Sequence, residues 1–368
     1  MNTEIQVKKT PFFLKHVKAN AKILPFAGYE MPITYKGVIE EHECVRRKAG
    51  LFDVSHMGEF ILRGAHAIDL IQKTTSNDAS KLIDGKVQYS CFPNHNGGIV
   101  DDLLVYRIKE DQYMLVVNAS NIEKDWNWLK ENDEWNVEME DISDKTALLA
   151  LQGPLAVKIL AKLTETDVAS MAYYTFQKGN ILDIPNVLIS ATGYTGSGGF
   201  ELYFDEQHAD KIWDAIISAG EEFGLQLAGL AARDTLRLEM GFCLYGNDIN
   251  DTTSPIEAGL GWITKFSKDF INKANLLAQK EQGVSKKLVA FELIDKGVPR
   301  KDYLIFDETG LEVGIVTSGT MSPSTKKSIG LGYVKSNLSS IGSVVYIAVR
   351  DKKLKAEVVK LPFYKQEG

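Results

Sequence analysis

The sequence predicts an α+β body followed by a separate all-β domain. Up to about residue 280, segments with helical periodicity alternate irregularly with short apolar strands, which favours split βαβ units over a doubly wound parallel sheet. Beyond residues 279–283 the chain has only short apolar runs divided by Gly, Pro, Ser and Asp, a pattern typical of a β-barrel or sandwich. We therefore expect a body over residues 1–282, with one α+β subdomain inserted at roughly 55–140, and a β domain over residues 283–368.

The body should begin with a short helix, because Thr10-Pro11 resembles an N-cap followed by proline at the first helical position. This helix should end near Ala19. Further helices are expected at 37–48, 65–73, 122–130, 209–223 and 227–240 and just after Gln152, and strands at 59–62, 87–92, 99–108 and 113–117 and near Val137, Leu148, Val187 and Phe200. Six apolar runs should form the strands of the β domain: 288–293, 303–306, 313–317, 329–334, 344–349 and 356–359.

The composition is that of a globular protein of two or three domains, with 368 residues, 44% of them hydrophobic and 25% charged. No apolar run approaches the roughly 20 residues of a membrane span, and the first residues lack the apolar core of a secretory signal. Three cysteines in separate contexts predict neither a disulfide framework nor a zinc site, and the six histidines form no ligand cluster. We expect a cytoplasmic protein that binds no metal.

The net charge of −7 is unevenly distributed. Residues 286–368 carry 14 Lys and Arg against 9 Asp and Glu, which leaves 28 against 40 in residues 1–285. An acidic body argues against general binding of nucleic acid, while the basic β domain permits a docking face for an acidic partner. The alternative is an ordinary solvated, lysine-rich β surface.

Residues 97–106 form an apolar strand pattern with two adjacent carboxylates, Asp101 and Asp102, in its middle. Successive side chains of a strand point to opposite faces, so one of the two carboxylates must lie among aliphatic side chains. A buried carboxylate needs partners in the protein, or it lies at a cleft where a ligand supplies them. The alternative is a turn aspartate beside one solvated neighbour.

The glycine-rich segment at 191–199 leads into a strand in which Phe200, Leu202 and Phe204 share one face and Glu201 and Tyr203 the other. No basic residue lies nearby and no helix follows, so a hairpin turn is favoured over a phosphate loop. A tyrosine before such a turn and a carboxylate after it could clamp a planar, nitrogen-rich ring.

Two arginines follow on the helix predicted at 227–240. Arg233 and Arg237 fall on a stripe bounded by apolar residues, so neither lies on a simple solvated face. A partly buried arginine needs an acceptor, either an internal carboxylate such as Asp234 or Glu201 or an anionic ligand. For Arg237 we favour an internal salt bridge.

Several motifs carry a family resemblance that runs through nearly the whole chain. The main ones are Asn-Gly-Gly-Ile-Val-Asp-Asp (96–102), Gly-Tyr-Thr-Gly (193–196) with Phe-Glu (200–201), Ala-Gly-Leu-Ala-Ala-Arg-Asp-Thr-Leu-Arg-Leu-Glu (228–239) and Leu-Tyr-Gly-Asn-Asp-Ile (244–249). Shorter ones lie at 26–29, 51–57, 149–154, 317–319 and 322–324. Together they resemble the aminomethyltransferases of the glycine cleavage system, the T-proteins.

This resemblance implies folate-binding, ferredoxin-like α+β domains in a ring-like arrangement, followed by a C-terminal β-barrel. It implies transfer of the one-carbon unit from the aminomethyl-dihydrolipoyl arm of the H-protein to tetrahydrofolate, which yields 5,10-methylenetetrahydrofolate and ammonia. Tetrahydrofolate would be the co-substrate and the lipoylated H-protein the partner. The protein would act as a monomer, without nucleic acid or membrane partners.

The resemblance also assigns roles to residues. Folate N5 would attack the aminomethyl carbon as ammonia leaves, so a carboxylate beside the reacting nitrogens could orient them and stabilise an iminium-like cation. By resemblance this catalytic carboxylate is Asp102, and Asp101 is its structural neighbour. Glu201 matches the residue that bonds the pterin, and Arg233 matches the residue that fixes the folate. Further residues match positions that line the family's folate pocket: Tyr89, Val116, Asn118, Tyr174 and Tyr194, with Tyr364 near the C terminus as an additional candidate.

Two other readings remain on the same fold. The folate-binding domains of sarcosine and dimethylglycine oxidases are fused to a flavin domain for which 368 residues leave no room. A folate-binding, non-transferase protein of the iron–sulfur repair type would carry a Lys-Gly-Cys-Tyr-x-Gly-Gln type motif. Residues 240–248 read Met-Gly-Phe-Cys-Leu-Tyr-Gly-Asn-Asp and follow the transferase pattern, so we expect Cys243 to be a buried packing residue.

Overall fold

The computed structural model describes residues 7–365, which form two compact units. The described part of the first unit comprises residues 7–70, 81–88 and 104–234. The second unit comprises residues 71–80, 89–103 and 235–365. Each unit is therefore assembled from three separate stretches of chain. Within residues 7–365, no helix has both the length and the apolar character that crossing a membrane requires.

The helices and strands follow the mixed order that the sequence predicts. The α-helices are α1 (Phe13–Lys18), α2 (Val38–Arg47), α3 (Ala67–Thr74), α4 (Ile122–Asn132), α5 (Ala156–Leu160), α6 (Ala209–Gly220), α7 (Leu230–Met240) and α8 (Lys273–Gln282). The strands are β1 (Lys8–Lys9), β2 (Lys22–Phe26), β3 (Tyr29–Thr34), β4 (Gly50–Asp53), β5 (Gly58–Arg63), β6 (Lys86–Pro93), β7 (Ile99–Lys109), β8 (Gln112–Val117), β9 (Glu138–Asp141), β10 (Thr146–Gln152), β11 (Phe176–Ile181), β12 (Ile184–Ser190), β13 (Gly199–Asp205), β14 (Gln226–Leu227), β15 (Lys286–Leu293), β16 (Leu304–Phe306), β17 (Glu312–Met321), β18 (Ser328–Lys335), β19 (Val344–Val349) and β20 (Lys352–Val359).

Two predicted helix starts are wrong, and in both cases a tertiary contact is the reason. The hydroxyl of Thr10 donates to Asp53 Oδ2 at 2.6 Å instead of capping a helix, and α1 begins only at Phe13. The helix predicted from 227 begins at Leu230, because residues 226–227 pair in parallel with β4 as strand β14. Strands β1, β2, β3, β4 and β11 and helix α8 were not predicted.

The sheets are predominantly antiparallel. Their strand orders are β1-β3-β2, β11-β12-β13-β10-β4-β14 and β6-β7-β8-β5-β9. Of the pairs with a described register, β1 with β3 and β4 with β14 are parallel, and the others are antiparallel. This arrangement confirms the α+β class over a doubly wound parallel sheet.

A hydrophobic core of the first unit lies between its six-stranded sheet and α5 and α6. Leu149 and Leu151 of β10, Leu202 of β13 and Ile212 and Ile216 of α6 are fully buried there. Each such side chain contributes about 1.5–3 kcal/mol through the apolar surface it removes from water. Because this face of β13 packs into the core, the residues between its apolar side chains must point to the opposite face. The alternation predicted for residues 200–204 is confirmed.

The C-terminal strands close into a six-stranded barrel, in the order β15-β18-β17-β16-β19-β20. Each of the six predicted apolar runs is one of these strands, and the barrel is confirmed. Its core consists of alternate, inward-pointing residues such as Val289 and Phe291 of β15 and Val345 and Ile347 of β19. A division of the whole chain at residue 283 stays a prediction.

A buried ion pair in the second unit supplies the acceptor that the sequence required for Arg237. Arg237 Nη1 lies 2.6 Å from Asp248 Oδ2, and both side chains are almost completely buried. The hydroxyls of Thr317 and Ser318 donate to Asp248 Oδ1 at 2.5 and 2.8 Å, so the motif at 317–319 belongs to this network. The internal salt bridge favoured for Arg237 is confirmed, with Asp248 as its partner.

Candidate active site

Strand β7 presents the two central carboxylates to opposite faces, as the sequence predicts. Asp101 is 0% exposed, whereas Asp102 is half-buried. Of the two, Asp102 is therefore the one that a ligand can reach. Tyr245 donates from its hydroxyl to the carbonyl oxygen of Ile99 at 2.9 Å and so anchors the start of the same strand.

Asp102 is oriented by an aromatic pair in the same unit. The hydroxyl of Tyr89 donates to Asp102 Oδ2 at 2.9 Å. Burial, followed by the negative charge of Asp102, raises the pKa of Tyr89 well above its usual value, so the phenol keeps its proton and remains a donor. The ring of Tyr89 stacks on Trp262 with 6.0 Å between centroids, and Trp262 is 62% exposed. The predicted residues Tyr89 and Asp102 are thus in direct contact.

Glu201 lies in the first unit, on the face of β13 that points away from the core. Its Oε2 accepts a hydrogen bond from the Thr192 hydroxyl at 2.5 Å. The phenols of Tyr106 and Tyr203 lie 3.0 Å apart, and Tyr106 also contacts Thr192 at 3.3 Å. Burial raises the pKa of Glu201, and the positive charge of Arg233 and the bond from Thr192 oppose that rise.

Arg233 lies at the N-terminal end of α7 and has unused donor capacity. Its guanidinium carbon is 4.8 Å from the centroid of the Tyr194 ring, a cation–π geometry. Its Nη1 is buried and has no hydrogen-bond partner among the described residues. Desolvation lowers the pKa of Arg233, while Glu201 and the tyrosines counteract this. Three predicted residues, Glu201, Arg233 and Tyr194, therefore belong to one electrostatic cluster.

The other predicted residues of the first unit are placed as follows. Tyr174 has a φ of +62°, which a residue with a side chain rarely adopts. Such a conformation costs on the order of 1 kcal/mol and is enriched at functional sites. Burial raises the pKa of Tyr174, and the negative charge of Glu201 is among the smaller causes of that rise. Val116 is buried on β8, and Asn118 follows the end of that strand.

Two buried polar side chains of the first unit were missed by sequence reasoning. Both carboxylate oxygens of Glu59 and the Nδ1 of His56 are buried without a hydrogen-bond partner within residues 7–365. Burial lowers the pKa of His56 to about 4, and the positive charge of Arg233 adds to that effect. For Glu59 a signal was present, because a carboxylate inside an apolar strand is the same pattern that singled out Asp101 and Asp102.

The glycine-rich segment is a turn between the antiparallel strands β12 and β13, as predicted. Gly199 has a φ of +120°, and a Cβ there would collide with the carbonyl oxygen of Leu151. Glycine is therefore required to start the strand that carries Glu201.

Cys243 is half-buried rather than fully buried and packs against a cluster that includes Cys91 and Ile249. The backbone N–H of Tyr364 donates to Glu239 O at 3.3 Å in the second unit.

Comparisons with known proteins identify the family. The GCVT N-terminal domain matches residues 12–268, and the glycine cleavage T-protein C-terminal barrel domain matches residues 286–365. An aminomethyltransferase from Flavobacterium psychrophilum is 59% identical over 360 residues, which cover 98% of this chain and 100% of that protein. An aminomethyltransferase from Bacteroides fragilis is 57% identical over 361 residues, with the same coverage.

A solved structure supports the same identification. The crystal structure of the glycine cleavage system aminomethyltransferase T from Bartonella henselae superposes with a TM-score of 0.92 at 34% identity, covering 98% of this chain and 99% of that one. The resemblance read from the sequence motifs is confirmed, and so is the fold it implied. The chain belongs to the glycine cleavage T-protein family of aminomethyltransferases.

Proposed function

We propose that this aminomethyltransferase moves the one-carbon unit from the aminomethyl-dihydrolipoyl arm of the H-protein to tetrahydrofolate, with Asp102 as the catalytic carboxylate. The products would be 5,10-methylenetetrahydrofolate and ammonia. The observation that carries the role of Asp102 is its position in a buried strand: it is the half-exposed member of the carboxylate pair, and Tyr89 holds one of its oxygens. A cytoplasmic, monomeric enzyme belongs to the same proposal.

The chemistry needs a fixed negative charge. When an amine leaves an aminomethyl carbon, positive charge develops, and a pre-oriented carboxylate beside that carbon lowers the energy of the charged state. A carboxylate that must reorient during the reaction is less effective, since reorientation costs energy at the moment of transfer. The hydrogen bond from Tyr89 fixes Asp102 while leaving its charge in place, because the donor is a neutral phenol.

We propose that Glu201, Arg233 and the aromatic residues around them hold the folate. A reduced pterin presents adjacent N–H donors, which a carboxylate can accept in pairs, and a flat ring that tyrosines can contact. The buried Nη1 of Arg233, which has no partner in the part of the chain that the structure describes, supplies a donor for a ligand oxygen. Val116, Asn118, Tyr174 and Tyr194 complete the proposed lining of the site.

The experiment for Asp102 compares binding with turnover. Purified protein is incubated with tetrahydrofolate and aminomethyl-loaded H-protein, and ammonia and methylenetetrahydrofolate are measured together. Asp102→Asn should keep the Kd for tetrahydrofolate within about threefold while lowering the transfer rate by about 100-fold or more. Asp111→Asn, in the exposed turn after β7, is the matched control and should retain full activity.

Two outcomes would contradict this assignment. Equal loss of binding and turnover in Asp102→Asn would show that the carboxylate holds the folate rather than acting in transfer. Folate binding by the unaltered protein without either product would favour the non-transferase alternative, which none of the comparisons supports.

We also propose that basic residues of the barrel help to dock the H-protein. The candidates are Lys286, Lys287, Arg300, Lys301, Lys326, Lys327, Arg350 and Lys352. Lys327 already pairs with Glu292, and Lys301 donates to Gly246 O and Asn247 Oδ1. The exposed Lys287, Arg350 and Lys352 are therefore the better choices for variants.

Charge reversal at these three positions should raise KM for the H-protein about tenfold without changing the Kd for tetrahydrofolate, because rim charges act mainly on association. Lys178→Glu, on an exposed position of β11, serves as the control. The apparent affinity for the H-protein should also fall as salt is added. An affinity that does not change with salt would exclude this docking surface.

A further inference from the structure

Glu59 lies in strand β5, directly opposite Val116 of β8. Residues directly paired across two antiparallel strands carry their side chains on the same face of the sheet. Val116 is in turn paired with Leu104 of β7. The side chain of Glu59 therefore shares a row with a residue of the proposed folate lining.

The carboxyl group of Glu59 is buried, and it has no hydrogen-bond partner in the described part of the chain. The residue is 1% exposed, and neither Oε1 nor Oε2 has a hydrogen-bond partner within residues 7–365. Its backbone, in contrast, is satisfied: the N–H donates to Ser143 Oγ at 3.0 Å, and the carbonyl accepts from Ile142 N–H at 3.0 Å. A buried polar side chain without a partner destabilises the fold, so its presence needs an explanation outside the fold itself.

The charged neighbours of Glu59 do not supply that partner. The carboxylates of Asp141 and Glu201 act on it electrostatically, and the phenols of Tyr29 and Tyr203 lie close enough to respond to its charge. Burial first, and then the two negative charges, raise the pKa of Glu59 well above its ordinary value. This shift favours the protonated form, a carboxylic acid, which offers one O–H donor and one carbonyl acceptor.

Glu59 in its protonated form and Glu201 as a carboxylate, which act on each other electrostatically, offer a ligand two different hydrogen-bonding patterns. A carboxylate accepts from two adjacent donors, such as N3–H and the 2-amino group of a pterin. A carboxylic acid instead matches a donor beside an acceptor, such as the 2-amino group and N1, or N3–H and O4. The unpartnered Nη1 of Arg233, near Glu201, shows that this cluster also has a donor available to a ligand.

We propose that Glu59 is a second pterin-recognition residue, which binds a donor–acceptor edge of the ring while Glu201 accepts from its donor–donor edge. This inference rests on the proposed function, because it assumes that the ligand is a reduced folate. Glu59 would be a specificity-determining residue and would take no part in the transfer itself.

The test uses two substitutions at the same position and the full-length protein. Glu59→Gln keeps one donor and one acceptor and should bind tetrahydrofolate within about threefold of the unaltered protein. Glu59→Leu removes both and should raise the Kd at least tenfold, measured by calorimetry. Because Leu also removes an unsatisfied buried carboxyl group, the melting temperature of Glu59→Leu should rise. Glu123→Leu, at an exposed position of α4, is the control and should change neither quantity.

The outcomes separate the alternatives. Equal weakening by Gln and Leu would show that the group acts as an anion, and unchanged binding in both would remove Glu59 from the site; either result overturns the inference. A melting temperature that falls in Glu59→Leu would indicate a structural role and would overturn it as well. If the unaltered protein fails to bind tetrahydrofolate, the proposed function itself fails, which is distinct from binding that Glu59 does not affect.

Discussion

Removing either partner of the buried ion pair between Arg237 and Asp248 should be among the most destabilising single substitutions in the second unit. Asp248 accepts four hydrogen bonds: from Arg237 Nη1 at 2.6 Å, Thr317 at 2.5 Å, Ser318 at 2.8 Å and the backbone N–H of Leu244 at 2.9 Å. Both charged side chains are almost fully buried, so neither can recover hydration when its partner is removed.

The magnitudes follow from what each substitution leaves behind. Arg237→Met leaves a buried carboxylate that still has three neutral donors, which places its cost at about 3 kcal/mol, the lower end for a broken buried pair. Asp248→Leu removes the carboxylate that Arg237 contacts and leaves a buried guanidinium, which also donates to Phe242 O and Ser318 Oγ, so we expect a loss of about 4–5 kcal/mol. The double variant removes both charges and should lower the free energy of unfolding by about 3–5 kcal/mol. That loss is at least about 2 kcal/mol smaller than the sum of the losses of the two single variants.

The assay is urea denaturation of the four proteins of this double-mutant cycle, followed by circular dichroism and by tryptophan fluorescence. Asp183→Asn, which removes the exposed ion pair with Lys211, is the control and should leave the unfolding midpoint unchanged. Single variants that unfold at the same urea concentration as the unaltered protein would refute the reasoning. A double variant whose loss equals the sum of the single losses would show that the two residues do not stabilise each other.

Three further predictions concern the site. Tyr89→Phe removes the donor to Asp102 and should slow single-turnover transfer about tenfold, equivalent to about 1.4 kcal/mol, without changing the Kd for tetrahydrofolate; an unchanged rate would exclude a positioning role for the phenol. Glu201→Gln should weaken tetrahydrofolate binding about 30-fold, the equivalent of about 2 kcal/mol for a charge-assisted hydrogen bond, as measured by calorimetry; equal affinity would remove Glu201 from the folate site. His56 has a folded pKa of about 4 against about 6.5 when unfolded, so only the unfolded chain gains its proton as the pH falls from 7 to 5, and stability should fall by about 2 kcal/mol over that window. His56→Gln should reduce this pH dependence of the urea midpoint, and an identical dependence in both proteins would contradict the buried, neutral histidine.

Elements with a clear apolar period were predictable from the sequence. The six runs of the barrel and strands β7 and β8 needed only the alternation of side chains along the chain, which is a local property. Strand β11 was missed because its residues 177–180 read Gln-Lys-Gly-Asn and lack that alternation. Its extended form comes from pairing with β12, which no local pattern reports.

The two arginines of α7 show how far the sequence goes with charged groups. Their positions on the helix required acceptors, and that expectation needed no structure. The acceptor of Arg237 is Asp248, eleven residues further along the chain, rather than the carboxylates considered from the sequence. For Arg233, no partner of its Nη1 lies among residues 7–365, which favours a ligand.

The sequence by itself determined that β7 carries one carboxylate that must be buried, that β13 turns Glu201 away from the core, and that an all-β domain, a barrel or a sandwich, follows the α+β body. These conclusions depend on strand periodicity and on the composition of neighbouring residues. Only the tertiary structure decided that Asp101 is the buried carboxylate and Asp102 the reachable one, and only it revealed the unpaired carboxyl of Glu59. The physical reason is that hydrophobic alternation is written in adjacent residues, whereas the partners of a buried charge come from segments that meet only when the chain has folded.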